Sequence, residues 1–549
     1  MSDPGGARAH ARWAVLIALC SGQFIMVLDS TVMNVSIQRV IEDLDTTVNT
    51  MQLAISTYTL TTAALMLIGG KLGDIIGRRL AFRIGLVTFG FGAGVTAVAP
   101  SMAILIFGWS ILEAVGAALM IPAILALIAS NYEGRERVVA YGAIGGIAGA
   151  AAATGPIIGG WVATVGSWRD IFAAEAVIML GLLAVSRIIR DAPLGRGRPH
   201  LDAVGGLLSA SGLGLAVLGV VQSSTWGWIN PKETPSIGGT PIDPFGLSVV
   251  PFLILAGLCL IAAFALWERR VVAGGGDTLV DLSMLRLPQL RAGLTTMAGM
   301  FLCLGGLFFI LPLYLQIVLG KDPLETGVAV LPMSLAIFFV AMGASRLSTR
   351  VAPRRLIRVG FICVSAGSAL LVTGIGSSLD TVRFTAAILV VGVGLGLIAS
   401  QVTNVNLATA GPAKTSETGA LQGTAQNLGS ALGTAVIGSV LLGLLTTTFD
   451  HRVESNTALP AHARNGVAAR TKDGLQFIPA GVAAGDLRQK GVPAPVVSQL
   501  EANYSQSQVD ALKIAVGGVA VLALLSCGMT RRLPARPLEA TPGDTPAAT

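Results

Sequence analysis

The sequence predicts an all-α integral membrane protein of fourteen transmembrane helices, arranged six, two and six. Three observations predict it. Of 549 residues, 53% are apolar and only 12% are charged, where a soluble domain carries about a quarter. The mean hydropathy is +0.73. Apolar runs of about 20 residues, the length needed to cross a ~30 Å hydrocarbon layer, recur along the chain. A water-soluble body this poor in polar groups has too little to cover its surface, so lipid must solvate much of it.

Taken in order, the predicted spans are 13–36, 51–70, 81–99, 102–128, 138–163, 170–188, 203–222, 246–267, 292–317, 326–345, 356–376, 384–404, 418–446 and 511–530. The first follows Arg8 and Arg12 and could pass for a signal peptide. It is too long, carries Asp29 and lacks a clear small-residue cleavage site, so it reads as a retained span. Residues 1–190 form a first six-helix bundle, 191–290 add two linker spans free of internal charge, and 291–532 form a second bundle. The polar segment at about 449–510 is either a small outer cap or a partly ordered loop. The Pro/Ala/Thr-rich tail 533–549 reads as disordered.

The net charge of +7 does not point to nucleic acid, because the basic residues follow membrane topology. With the N-terminus inside, 25 of the 37 Lys and Arg face the cytoplasm. Inverting the chain breaks the positive-inside rule, so both termini are expected in the cytoplasm. All five cysteines lie in apolar runs and read as packing residues. The four histidines lie outside the runs. Neither set has a disulfide or metal-ligand spacing. No phosphate-binding loop ending in Lys-Ser/Thr occurs, and no arrangement of catalytic residues points to an enzyme.

Three stretches carry more specific information. The loop after span two reads Gly70-Lys71-Leu72-Gly73-Asp74-Ile75-Ile76-Gly77-Arg78-Arg79. Its glycines suit a tight turn, and Asp74 with Arg78 and Arg79 can form charge-assisted bonds. Span five contains Gly155-Pro156-Ile157-Ile158-Gly159-Gly160, where glycines four apart let helices meet backbone to backbone and Pro156 should bend the helix. Span one contains Leu28-Asp29-Ser30-Thr31-Val32-Met33-Asn34-Val35. Together with Leu313-Tyr314-Leu315-Gln316, the Gly327–Pro332 run and Gln426-Asn427-Leu428-Gly429, these resemble the major facilitator superfamily, in its fourteen-span drug–proton antiporter branch (EmrB/QacA-like).

The resemblance implies two bundles around a central cavity that rock to expose one site alternately to each face. It implies that Gly70, Asp74, Gly77 and Arg78 latch the inner gate, with charge-assisted bonds crossing between the bundles. Gly155, Pro156, Gly159 and Gly160 form the antiporter motif. It further implies export of hydrophobic small molecules or drugs, cationic ones included, with multidrug efflux and antibiotic resistance as the phenotype. The proton gradient would supply the energy, without a cofactor. Expected partners are the substrate, protons and membrane lipid, with no nucleic acid and a monomeric state. The expected location is the cell membrane of a bacterium. An exporter dedicated to one metabolite, lipid or siderophore stays open, as does a non-transporting sensor.

Span four departs from the branch. Where the family has an Arg ahead of a Gln, this chain has Ser110 and Glu113. Glu113 joins Asp29 and Glu175 as the three acids lying well inside the predicted spans, where no Lys or Arg lies. An ionisable group at membrane depth costs at least ~2.5–3.5 kcal/mol, so a functional role is the first hypothesis. A rise of about 1.5 Å per residue puts Glu113 roughly 16 Å from the outer end of span four. It puts Asp29 roughly 24 Å up span one, nearer the outside. Glu113 is then the midplane proton carrier and Asp29 an outer relay, with Ser110 and Glu113 a rewired coupling site. Glu175 lies near the outer end of span six and reads equally as a proton site or a hydrogen-bonded structural acid. Trp109 shares a helix face with Glu113 and, with Tyr58, Met33 and Gln316, is expected at the substrate cavity.

Overall fold

The protein's structure, a computed structural model, describes residues 4–132, 134–191, 200–231, 234–237, 240–345, 351–410, 414–457, 459–460, 464 and 475–536. Thirteen of the described helices are long and apolar enough to cross a membrane. The 32-residue helix Gly134–Val165 takes the fifth place, making fourteen.

The spans are α1 (Pro4–Asp43), α2 (Val48–Ile76), α3 (Arg78–Ala97), α4 (102–131), α5 (Gly134–Val165), α6 (Trp168–Val185), α7 (Ala203–Trp226) and α8 (Val250–Ala273). The second half supplies α9 (288–318), α10 (Pro323–Ser345), α11 (Pro353–Gly374), α12 (Thr381–Ala410), α13 (Thr415–Ser455) and α14 (Ala494–Met529). Side chains facing away from the bundle are apolar and exposed, among them Val87 and Phe91 on α3, Leu255 and Leu258 on α8, and Leu524 and Leu525 on α14. That outward apolar surface is what a lipid solvent requires. The Gly70–Arg79 loop lies at one end of the helices and the described part of the 449–510 segment at the other; the two ends are named inner and outer after the topology expected from the sequence.

The first bundle packs α1 on α5, α3 on α6, and α4 on α2 and α3; the second packs α11 on α12, α10 on α12 and α9 on α13. Two seams join them, α2 against α13 and α5 against α10. Both rely on small residues. Gly70 packs beside Ala420, and a side chain at Gly160 would collide with the backbone of Pro323 and Leu324. Near the outer face Gln52 Nε2 donates to Ala435 O at 3.1 Å, and Gln316 Nε2 donates to Val35 O at 2.7 Å.

The two linker spans differ in what they face. The lipid-facing member is α8. Its partner α7 covers the α2–α13 seam, packing Val217 and Val221 against Leu53 and Leu60 on one side and Ala431 and Ala435 on the other. At the inner end, Glu268 is fully buried and accepts from Leu279 N at 3.1 Å. The linker beyond it holds Asp281, which pairs with Lys414 at the start of α13.

Helices α1, α13 and α14 run past the predicted span ends. The described part of the outer segment is folded: α13 continues to Ser455, a short helix covers Ala480–Gln489, and α14 begins at Ala494. Phe477, Phe449 and Tyr504 are buried there, with the last two rings edge-to-face at 5.7 Å. Two short antiparallel strands, Ser236–Ile237 and Thr240–Pro241, pair between α7 and α8. Of the tail 533–549, expected to be disordered, residues 533–536 are described and packed, with Leu533 buried and Pro534 O accepting from Arg354 N; residues 537–549 lie outside the described residues.

Candidate functional site

The fourth span is not a uniform α-helix. Residues Ile106–Glu113 form a π-helical stretch that carries Trp109, Ser110 and Glu113. Such stretches are rare and often mark functional positions. A second one, Leu313–Val318, carries Tyr314 and Gln316 in α9.

The Trp109 ring stacks on Tyr58 of α2 with centroids 4.9 Å apart. Its indole Nε1 donates to Asp29 Oδ1 of α1 at 2.8 Å. Ser110, at the position of the family's Arg, donates to Ala54 O of α2 at 2.9 Å. Glu113 turns toward α3, where Thr96 Oγ1 donates to its Oε1 at 2.9 Å. Gly92, one turn before Thr96, makes room: an added Cβ would lie 2.8 Å from Glu113 Cγ.

Asp29, Glu113 and Glu175 form one cluster. Each offers a carboxyl oxygen within 4.8 Å of those of the other two. All three are buried, at 0%, 0% and 1% exposure. Asp29 Oδ2, Glu113 Oε2 and both Glu175 oxygens have no hydrogen-bond partner among the described residues. Among the described residues, no ion pair reaches any of the three. Three charged carboxylates this close, in so dry a place, would repel strongly, so the cluster is suited to holding protons between its members.

This arrangement corrects the depth estimate for Asp29. Its helix continues seven residues beyond Ser36, to Asp43, so the outer end from which depth counts lies farther up. The carboxyl of Asp29 therefore lies beside that of Glu113, where the residue count set Asp29 nearer the outside. Glu175 also joins the other two acids.

Met33, Tyr58, Trp109 and Gln316 are all buried, the first three within one core cluster that includes Leu307, Ile310 and Tyr314 of α9 and its π stretch. Gln316 bridges α9 to α1 through Val35. Of the four residues expected at a cavity, Gln316 bridges the two bundles, and the other three are packed in the core.

The loop motif behaves differently from the expectation that its charges cross between the bundles. Arg78 Nη2 pairs with Asp74 Oδ1 at 3.2 Å within the loop itself. Arg79 N donates to Asp191 Oδ2 at 3.1 Å, and its Nη2 donates to Arg187 O at 2.9 Å, both just after α6. The described bonds therefore stay inside the first bundle, because the C-terminal end of α6 lies next to the loop. Gly77 adopts φ +99°, which an L side chain rarely tolerates. In α5, Gly155 and Gly159 pack against Thr31 and Val32 of α1, while Gly160 faces α10. The helix runs without a break through position 156.

Sequence reasoning missed Thr96, Gln52 and Glu268. A Gly four residues before a Thr was the available signal for Thr96. Nothing in a single sequence marks Gln52 as a bridge to α13. Glu268 lies one residue beyond a predicted span end and so escaped the search for buried acids.

Two helical bundles, two glycine-lined seams and a buried acid cluster in the first bundle define a membrane transporter. The Major Facilitator Superfamily profile matches residues 19–230 and 234–434, and the chain belongs to that family. It is 32% identical over 441 residues to a puromycin resistance protein of Streptomyces alboniger, covering 79% of this chain and 82% of that one. It is 28% identical over 543 residues to a tetracenomycin C resistance and export protein of Streptomyces glaucescens, covering 97% and 94%. A probable actinorhodin transporter of Streptomyces coelicolor is 29% identical over 467 residues, covering 83% and 77%. Among solved structures, an inward-facing bacterial homolog of the human lysosomal transporter Spinster superposes with a TM-score of 0.60 at 15% identity. That match covers 97% of this chain and 98% of the other, and it shows the shared fold.

Proposed function

We propose that this protein is a proton-coupled antiporter that exports hydrophobic small molecules of antibiotic type, cationic ones included, across the bacterial cell membrane. Residues 1–190 and 291–532 are the two moving bundles, with both termini in the cytoplasm. The observation that carries the reading is the Asp29–Glu113–Glu175 cluster. Three carboxyls with oxygens unpartnered, and no ion pair, among the described residues can take up and release protons as a unit. Trp109 couples that unit to the bundle interface, because it bonds Asp29 while stacking on Tyr58 in the core shared with α9. Rocking that separates the bundles changes the surroundings of Trp109 and so the proton occupancy of the cluster.

A second reading, export of one dedicated natural product, draws on relatives named for single compounds such as actinorhodin and tetracenomycin C. The two readings differ in breadth of substrate, not in mechanism.

The test is uptake of puromycin and of polycyclic aromatic dyes into inside-out membrane vesicles. A gradient of 100 mV drives each charge with about 2.3 kcal/mol. A protonophore should abolish uptake of any exported compound. Uptake that continues with the gradient dissipated and ATP present contradicts proton coupling.

A further inference from the structure

The inner ends of α11 and α14 bring together six arginines that the transport mechanism does not use. Arg354, Arg355 and Arg358 open α11; Arg531, Arg532 and Arg536 follow the last turn of α14. The two groups adjoin. Arg354 N donates to Pro534 O at 3.4 Å, and Arg358 Nε donates to Thr530 Oγ1 at 2.9 Å. Arg355, Arg531, Arg532 and Arg536 are exposed.

Basic residues at inner helix ends often serve only to orient a membrane protein. Two features set these apart. First, among the described residues none of the six forms an ion pair. No Asp or Glu occurs anywhere in α11, nor between Asp510 and Arg536 on the α14 side. Arg354 Nε is buried with no partner. The inner end of α11 also lacks a capping side chain at Ala352, which leaves the positive end of its dipole at the same spot. Second, the arginines stand directly below lipid-facing apolar surface. Arg355 shares a helix face with Val359 and Ile362, 48% and 53% exposed. Above Arg532 lie Met529 and Leu525, 47% and 63% exposed.

We propose that this cluster binds the phosphate headgroup of an anionic phospholipid at the inner membrane surface. Guanidinium groups grip phosphate oxygens bidentately, a geometry that a lysine point charge does not reproduce. The acyl chains of the same lipid would lie along Val359, Ile362, Leu525 and Met529. That continuity of charged and apolar surface selects a lipid over a free phosphate ion, which has no use for the apolar half. The bound lipid bridges two helices of the second bundle and steadies it during rocking.

The test is native mass spectrometry of the full-length protein in mild detergent, titrated with phosphatidylglycerol or phosphatidylcholine. Near an anionic surface each Arg contributes about fivefold in affinity. Arg355→Gln/Arg531→Gln/Arg532→Gln should lower phosphatidylglycerol binding by roughly tenfold to a hundredfold and leave phosphatidylcholine unchanged. Replacing the same three with Lys, which keeps the charge and guards against a folding defect, should restore part of the affinity. Wild-type binding should also weaken as salt is raised. Four results would overturn the proposal: unchanged phosphatidylglycerol binding in the Gln variant, equal binding of phosphatidylcholine by the wild type, binding indifferent to salt, or displacement of the lipid by millimolar inorganic phosphate. The last would mark a free-anion site.

Discussion

Gly160→Ala tests whether the α5–α10 seam closes the outer face. A methyl at that position would lie 2.8 Å from Leu324 Cα and from the Pro323 carbonyl carbon. Ordinary carbon contacts lie at about 3.5–4.0 Å, so relief requires the helices to part by about 1 Å. The obstructing atoms are backbone on the other bundle and cannot swing aside. Overpacking of this kind costs about 1–3 kcal/mol. Spent against the closed outer face, that is a shift of about 5-fold to 150-fold toward the outward-open state. Spin labels at Val98 and Val382, 75% and 80% exposed at the outer ends of α3 and α12, report the separation of the bundles. The five native cysteines would be replaced first. The distance distribution should move to longer values and transport should fall. Gly94→Ala, at a position with nothing within 4 Å, should match the wild type in both measurements. An unchanged distribution with normal transport in Gly160→Ala would refute the claim that this seam closes the outer face.

Three further perturbations follow from the geometry. Asp74→Asn removes the partner of Arg78, a half-buried i,i+4 pair worth only about 0.3–0.5 kcal/mol; transport in vesicles should be lost while expression and thermal melting stay near wild type. Trp109→Phe keeps the ring stack on Tyr58 but strips Asp29 of its indole donor; melting should show a loss of about 1–3 kcal/mol and transport should fall, whereas wild-type behaviour in both would show that the bond does nothing. The Asp281 carboxyl is held down to about 2, first by its hydrogen bond from Lys414 and then by Ser283. Such a group stabilises the fold fully above the ordinary carboxylate value near 4 and loses that contribution as pH falls toward 2. Because both partners are about one-third exposed, the expected gain is about 1 kcal/mol or less. Asp281→Asn should therefore melt slightly earlier than wild type at neutral pH, and the two should converge in acid; a gap that widens in acid would assign the pair the wrong sign.

The fold was legible in the sequence because lipid imposes a coarse rule: each crossing needs an apolar run of known length. The rule fails where a helix outlasts the membrane. Trp13 to Ser36 reads as the first span, but the helix reaches Asp43, and that shifted the apparent depth of Asp29. It failed again at α14, whose first turns are polar and pack Tyr504 against Phe449 outside any apolar run.

The acids themselves were legible as costly residues in apolar runs, but their meeting was not. Asp29, Glu113 and Glu175 are far apart in sequence, on three helices, and only packing around Gly92 and the π stretch of α4 brings their oxygens together. The partners of the loop motif were hidden for the same reason. Asp191 and the Arg187 carbonyl belong to the end of another span, and no pattern near Asp74 announces them.

The central claim is that the three carboxyls exchange protons as one unit with the exported compound. The most direct measurement is proton release from purified protein when a compound identified in the vesicle assay is added, followed with a pH dye in weakly buffered solution. Wild type should release protons on binding. Glu113→Gln keeps size and hydrogen bonding but cannot give up a proton, so release should vanish while part of the compound binding survives. Asp29→Asn and Glu175→Gln should each reduce release, since their oxygens lie within 4.8 Å of one another and of Glu113. Normal proton release from Glu113→Gln, with transport intact, would place the proton carrier elsewhere and contradict the account.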